Sequence, residues 1–201
     1  MNKLIVFFSI LLLISAVALG QSAELNKKAP AFKLVDNEGK IYSLSDFAGK
    51  YVVLEWVNFD CPFVGKHYGS GNMQNLQKTY RDKNVVWLSI CSSAEGKQGY
   101  FIGDELTDRL KKEKATPTAY LLDTDGKVGK MYNAKTTPHM YIINPKGELI
   151  YAGGIDDKPS TKKEDLKDAR NYVSEVLDAA LEGQPLPLQT SKPYGCSVKY
   201  K

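Results

Sequence analysis

The chain has 201 residues, 43% hydrophobic and 25% charged, and its 27 Lys and Arg against 23 Asp and Glu give a formal net charge of +4. The basic residues are scattered or sit beside acids, as at Lys111, Lys112 and Lys114 or at Lys162 and Lys163, a pattern of solvated helix faces that excludes a nucleic-acid-binding footprint. Three cysteines, Cys61, Cys91 and Cys196, are too few to staple a scaffold, so the fold must rest on an apolar core and the thiols are available for chemistry.

Met1, Asn2 and Lys3 precede an apolar run from Leu4 to Leu19 that exits through the small residues Ala18, Gly20 and Ala23. Residues 1–23 therefore read as a secretory signal peptide, too short in its apolar part to span a bilayer comfortably. The expectation is an exported protein, periplasmic or secreted, with no stable membrane insertion after cleavage; a retained anchor is the alternative. Residues 24–187 are expected to form one domain and residues 188–201 a tail carrying Cys196.

Tyr51–Val57 and Val85–Ile90 are β-branched and aromatic runs with little polar alternation, as in strands buried on both faces of a mostly parallel sheet. Between them Met73, Leu76 and Tyr80 recur at helical spacing, and Gly69-Ser-Gly-Asn72 should break that helix from a short turn after Cys61. Residues 104–114 read as a surface helix and 120–122 as a short strand closed by Asp123-Thr-Asp-Gly126. Met140–Ile143 and Glu148–Ala152 flank Asn144-Pro-Lys-Gly147 and predict an antiparallel hairpin. From Leu166 to Leu181 apolar residues mark one face of a long helix, stopped by Gly183 with Pro185 and Pro187. This order predicts an α/β sandwich around a central mixed sheet.

Cys61 directly follows the first strand, and Pro62 suits the first position of a helix. A thiol at a helix N-terminus meets unpaired N–H groups and the positive end of the dipole, which favour the thiolate. Lys66 and His67, one to two turns on, are expected to add positive charge, and Asp60 to oppose it. Thr136-Thr137-Pro138 precedes the hairpin, and a cis Pro138 would set the Thr137 backbone against Cys61 as an edge for an extended substrate. The bland alternatives are an inert buried cysteine and an ordinary trans proline. Cys91 reads as a core residue at a strand end. Cys196, 13 residues past Gly183, lies on a tail that can reach about 40 Å when extended, so it is either a partner for Cys61 or an unpaired or intermolecular thiol.

Several segments carry a family resemblance. Ala29-Pro30-Ala-Phe-Lys-Leu34, Ser43-Leu-Ser-Asp-Phe-Ala-Gly-Lys50, Asn58-Phe-Asp-Cys-Pro-Phe-Val64, Thr137-Pro138, Tyr151-Ala-Gly-Gly-Ile-Asp-Asp157 and Gly195-Cys-Ser-Val-Lys199 together resemble the peroxiredoxin-like redoxin (AhpC/TSA-type) branch of the thioredoxin superfamily, in its exported Cys-Pro-Phe-Val form. The resemblance implies a thioredoxin-like three-layer sandwich and a thiol-dependent oxidoreductase without a cofactor. It further implies Cys61 as nucleophile, Cys196 as second redox cysteine, and Asn58, Pro62, Thr137 and Pro138 around the substrate. The partners it implies are a peroxide or protein disulfide and a thiol reductant protein. Three positions depart from the relatives: Asn58 replaces the Thr that hydrogen-bonds peroxide, Val64 replaces the second cysteine of Cys-x-x-Cys, and Gly65 replaces the second cysteine of copper-delivering relatives. A non-catalytic interaction or redox-sensing module is the alternative function, and copper handling by Cys61 with His67 or His139 a lesser one.

Overall fold

A computed structural model of the chain describes residues 22–201. The expected leader thus lies outside the described residues except for its last two, and Ala23 already donates its N–H to the Met131 carbonyl at 3.0 Å. No helix among the described residues is long and apolar enough to cross a membrane.

The elements run β1 (Lys33–Val35), β2 (Ile41–Ser43), β3 (Val52–Trp56), α1 (Pro62–Gly69), α2 (Asn72–Asp82), β4 (Val86–Cys91), α3 (Gly103–Lys112), β5 (Ala119–Leu122), α4 (Lys127–Met131), β6 (Thr136–Thr137), β7 (His139–Ile143), β8 (Leu149–Gly153), α5 (Tyr172–Leu181) and β9 (Cys196–Ser197). Seven strands form one mixed sheet in the order β2-β1-β5-β4-β3-β7-β8. β3, β4 and β5 are parallel, and β7 returns antiparallel to β3, with β8 closing the hairpin. The central mixed sheet of the sandwich is as expected.

Alternation along β3 assigns the two faces. Val53 points into a core shared with Val64 and Tyr68 of α1, Met73, Leu76 and Tyr80 of α2, and Val173, Val176 and Leu177 of α5. Val52, Leu54 and Trp56 point to the opposite core, with Phe32, Val128, Tyr132 and Tyr141. Every β3 side chain is covered, which explains why the run reads as apolar without alternation. The exception in composition is Glu55, fully buried; its carboxylate accepts from Trp87 Nε1 at 2.8 Å, Ser89 Oγ at 2.8 Å, Tyr68 Oη at 2.9 Å and Gln77 Nε2 at 3.3 Å. Those four donors answer the cost of placing a carboxyl in the core.

The break between α1 and α2 falls where expected, at Gly71, whose φ of +79° only glycine adopts readily. The long helix expected from Leu166 is corrected: Lys163–Asp168 form a 3-10 turn, and α5 starts at Tyr172 behind Asn171, whose Oδ1 accepts from the Ser174 N–H at 3.0 Å. Asp157 causes the interruption, because its side chain takes the Arg170 N–H at 2.9 Å while its own N–H binds the Arg170 carbonyl. Residues 188–201 are a docked strap. Gln189 pairs with Ala152, Ser191 Oγ accepts from the Gly154 N–H at 2.9 Å, β9 pairs with β6, and the Lys199 carbonyl accepts from the Ala94 N–H at 2.9 Å.

Candidate active site

β3 delivers the chain to the site, and Asn58 shapes the turn that follows. Its Oδ1 accepts from the Asp60 N–H at 2.9 Å and its Nδ2 donates to the Gln98 carbonyl at 3.1 Å. Asn58 is 2% exposed and spends its amide holding this turn against the 97–100 loop. Cys61 caps α1 with extended dihedrals, φ −80° and ψ 123°, and Pro62 occupies the first turn. The Cys61 carbonyl accepts the first helical bond from the Gly65 N–H at 2.9 Å. Asp60 is paired with Arg109 at 2.9 Å, and Arg109 also donates to the Phe59 carbonyl at 2.7 Å. Arg109 therefore braces the loop before the cysteine.

The Thr137–Pro138 peptide is cis, as expected, and the Cys61 Sγ donates to the Thr137 carbonyl at 3.1 Å. Thr137 Oγ1, in a residue 2% exposed, has no hydrogen-bond partner among the described residues. On the outer side of this edge β9 runs antiparallel to β6, with Cys196 opposite Thr137 and Ser197 opposite Thr136. Cys61, Thr137 and Cys196 thus converge. All three cysteines are free thiols, and Cys61 is only 1% exposed. Burial, and next the neighbouring Cys61 thiol, push the Cys196 thiol up to about 11. Cys91 is buried at the end of β4 and donates to the Gly99 carbonyl at 3.3 Å.

The expectation that Lys66 and His67 lend positive charge to Cys61 is corrected. Lys66 Nζ donates to the Lys158 carbonyl at 2.7 Å and to Tyr194 Oη at 2.9 Å, with Asp156 Oδ2 at 3.5 Å. His67 Nε2 lies 3.1 Å from Tyr194 Oη and its Nδ1 2.8 Å from Asn72 Nδ2. Burial, reinforced by the Lys66 charge, pushes His67 down to about 3, so it is neutral at pH 7. His139 is pushed down to about 4, again mainly by burial, and its Nδ1 accepts from the Lys135 N–H at 3.3 Å. The described residues hold no group of three or more His, Cys, Asp or Glu arranged for a metal ion. Sequence reasoning missed Tyr194 and Asp156, whose roles appear only when the strap and the segment before α5 meet over α1.

The AhpC/TSA family profile matches residues 25–152, from before β1 through nearly all of β8. The chain belongs to the AhpC/TSA family. Its match with the thiol-disulfide oxidoreductase ResA of Bacillus subtilis is 28% identical over 122 residues, 61% of this chain and 63% of that relative. An uncharacterized conserved protein from Geobacillus kaustophilus superposes with a TM-score of 0.74 at 28% identity, over 89% of this chain and 93% of that one. The thioredoxin domain of a thiol-disulfide oxidoreductase from Bacteroides vulgatus superposes with a TM-score of 0.53 at 19% identity, over 73% of this chain and 98% of that one. The fold is thioredoxin-like, and the family match ends before the strap.

Proposed function

We propose that the protein is an extracytoplasmic thiol-disulfide oxidoreductase in which Cys61 is the nucleophile and Cys196 the resolving thiol. One observation carries this reading: β9 lies on the cis-proline edge as an added antiparallel strand and sets Cys196 opposite Thr137, whose carbonyl holds the Cys61 thiol. An extended polypeptide presenting a disulfide would use the same edge. The Cys61 thiolate attacks one substrate sulfur, forming a mixed disulfide and releasing the other as a thiol. The Cys196 thiolate then attacks the Cys61 sulfur and expels the second substrate thiol. Two electrons and two protons leave the protein dithiol for the substrate, and a thiol reductant protein restores them.

The likeness to ResA supports a disulfide substrate, and so does Asn58, whose amide is spent on Asp60 and Gln98 where peroxide-binding relatives keep a Thr. Insulin reduction, run beside hydrogen peroxide consumption, tests the reading. Cys61→Ser should abolish insulin turnover, and Cys196→Ser should stall as a mixed disulfide on Cys61 visible by mass spectrometry. Full turnover by Cys61→Ser would defeat the mechanism, and peroxide consumption outpacing disulfide reduction would reassign the substrate.

A further inference from the structure

The strap that brings Cys196 to Cys61 also seals it. Cys61 is 1% exposed beneath β9, and the edge β9 occupies is the one an extended substrate would need, so a closed strap and a bound polypeptide exclude each other. β9 itself is two residues long, too little pairing to hold the strap by backbone bonds alone. The residue just before Gly195 supplies what the pairing lacks. Tyr194 Oη meets Lys66 Nζ at 2.9 Å and His67 Nε2 at 3.1 Å, and donates to Asp156 Oδ1. Its ring packs edge-on against Phe63 at 5.8 Å and lies under the Lys66 ammonium at 4.9 Å. The Lys66 and Asp156 side chains are 0% and 1% exposed, so the hydroxyl closes a polar cluster sealed from water. Phe63, Lys66 and His67 all belong to the helix that Cys61 caps. The strap is therefore fixed two residues before Cys196 to the same rigid element that carries Cys61.

We infer that Tyr194 is a latch: a positioning residue that docks the strap on α1, setting Cys196 against Cys61 and closing the cis-proline edge to outside polypeptides until the strap lifts. The gating half stands on burial and geometry alone; the positioning half rests on the Cys61–Cys196 redox pair proposed above. Without the hydroxyl, Lys66 keeps the Lys158 carbonyl and Asp156, and Asp156 keeps the Lys158 N–H, while His67 Nε2 loses its hydrogen-bond partner, so Tyr194→Phe loosens the strap and leaves the Lys66–Asp156 pair beneath it in place.

Iodoacetamide labelling of reduced Cys196→Ser protein, with and without Tyr194→Phe, tests the gate when Cys61 and Cys91 are counted separately by peptide mass spectrometry. Cys91, 4% exposed at the end of β4, reports general loosening. Tyr194→Phe should speed Cys61 labelling about tenfold or more and leave Cys91 unchanged. Equal acceleration of both cysteines, or of neither, would overturn the latch. With Cys196 present, equilibration in glutathione buffer reads the positioning half: oxidised glutathione plus the protein dithiol gives the Cys61–Cys196 disulfide and two reduced glutathiones. The effective concentration of Cys196 should fall by a similar factor in Tyr194→Phe, and an unchanged value would overturn that half. If the parent protein forms no Cys61–Cys196 disulfide, the redox-pair reading fails, and the labelling result still judges the latch.

Discussion

Thr137 carries two oxygens with different fates. Its carbonyl accepts from the Cys61 Sγ at 3.1 Å, while its buried hydroxyl has no partner among the described residues. A buried hydroxyl without a bond costs stability wherever it does not serve a ligand. Thr137→Val should therefore leave stability unchanged or raise it by up to about 1 kcal/mol. If the hydroxyl serves the reacting sulfur or the substrate, the same change should lower kcat/KM about tenfold, so a urea midpoint and an insulin assay on one variant separate the two roles. A loss of stability with activity intact would show that the hydroxyl is structural. Cys61 and the cis Pro138 were legible in the sequence because each is announced by local chemistry: a strand end, a proline at a helix start, a Thr-Pro before a strand. Asn58 was legible as a position but not as a role, since the carbonyl it binds belongs to Gln98, 40 residues away. Lys66 and His67 were misread for the same reason: their partners Asp156 and Tyr194 are about 90 and 128 residues distant.

Among the elements, β3, β4 and the β7–β8 hairpin were legible from contiguous apolar runs and a turn whose Asn144 Oδ1 accepts from the Lys146 N–H at 3.0 Å and the Glu148 N–H at 2.9 Å. The helix drawn from Leu166 was too long, because Leu166 and Ala169 keep helical spacing while Asp157 pulls Arg170 out of helical bonding. α4, five residues long, is too short to display a period. The strap has no period either. Its hold comes from single side chains in separate seats: Ser191 against Gly153 and Gly154, Tyr194 over α1, and Tyr200, whose hydroxyl donates to the Ala134 carbonyl at 2.7 Å above Gly126 and Gly129. Gly195 is the tightest point. Its φ is +137°, and a Cβ there would lie 2.0 Å from the Thr137 carbonyl oxygen. Gly195→Ala should push β9 off β6 at a cost of about 1–3 kcal/mol. Hydrogen exchange at residues 196–198 should rise and the Cys61–Cys196 disulfide yield in glutathione buffer should fall. Exchange as slow as in the parent protein would mean that β9 tolerates the change and that the glycine is not what seats it.

At the scale of the whole molecule, two neutral buried histidines give stability a pH slope. His67 and His139 are 0% and 6% exposed, with values pushed to about 3 and about 4 against 6.5 when free. Between those limits the unfolded chain binds protons that the folded chain refuses, so stability is present above about pH 6.5 and is lost as pH falls. Each histidine contributes about 1.4 kcal/mol per pH unit, or about 2.7 for the pair, down to about pH 4. Glu55 acts with the opposite sign, since burial raises it from 4.5 and its contribution is lost as pH rises through its folded value. Urea midpoints from pH 7 to pH 4.5 for the parent and for His139→Phe isolate the effect: the variant's slope should be shallower by about half the histidine share, and parallel curves would refute it. Oxidation adds a second global lever. Cys61 and Cys196 are 135 residues apart, so a bond between them would close a ring containing β4 to β8 and all five α-helices. Cross-linking so long a loop removes unfolded-chain entropy equivalent to about 5 kcal/mol. The dithiol and disulfide forms should thus melt several degrees apart, with the gap abolished in Cys196→Ser. By linkage the same energy would make the folded protein hold such a disulfide about 100 mV more tightly than the unfolded chain would. Melting temperature would then gauge redox state, and folding itself would be part of the protein's reduction potential.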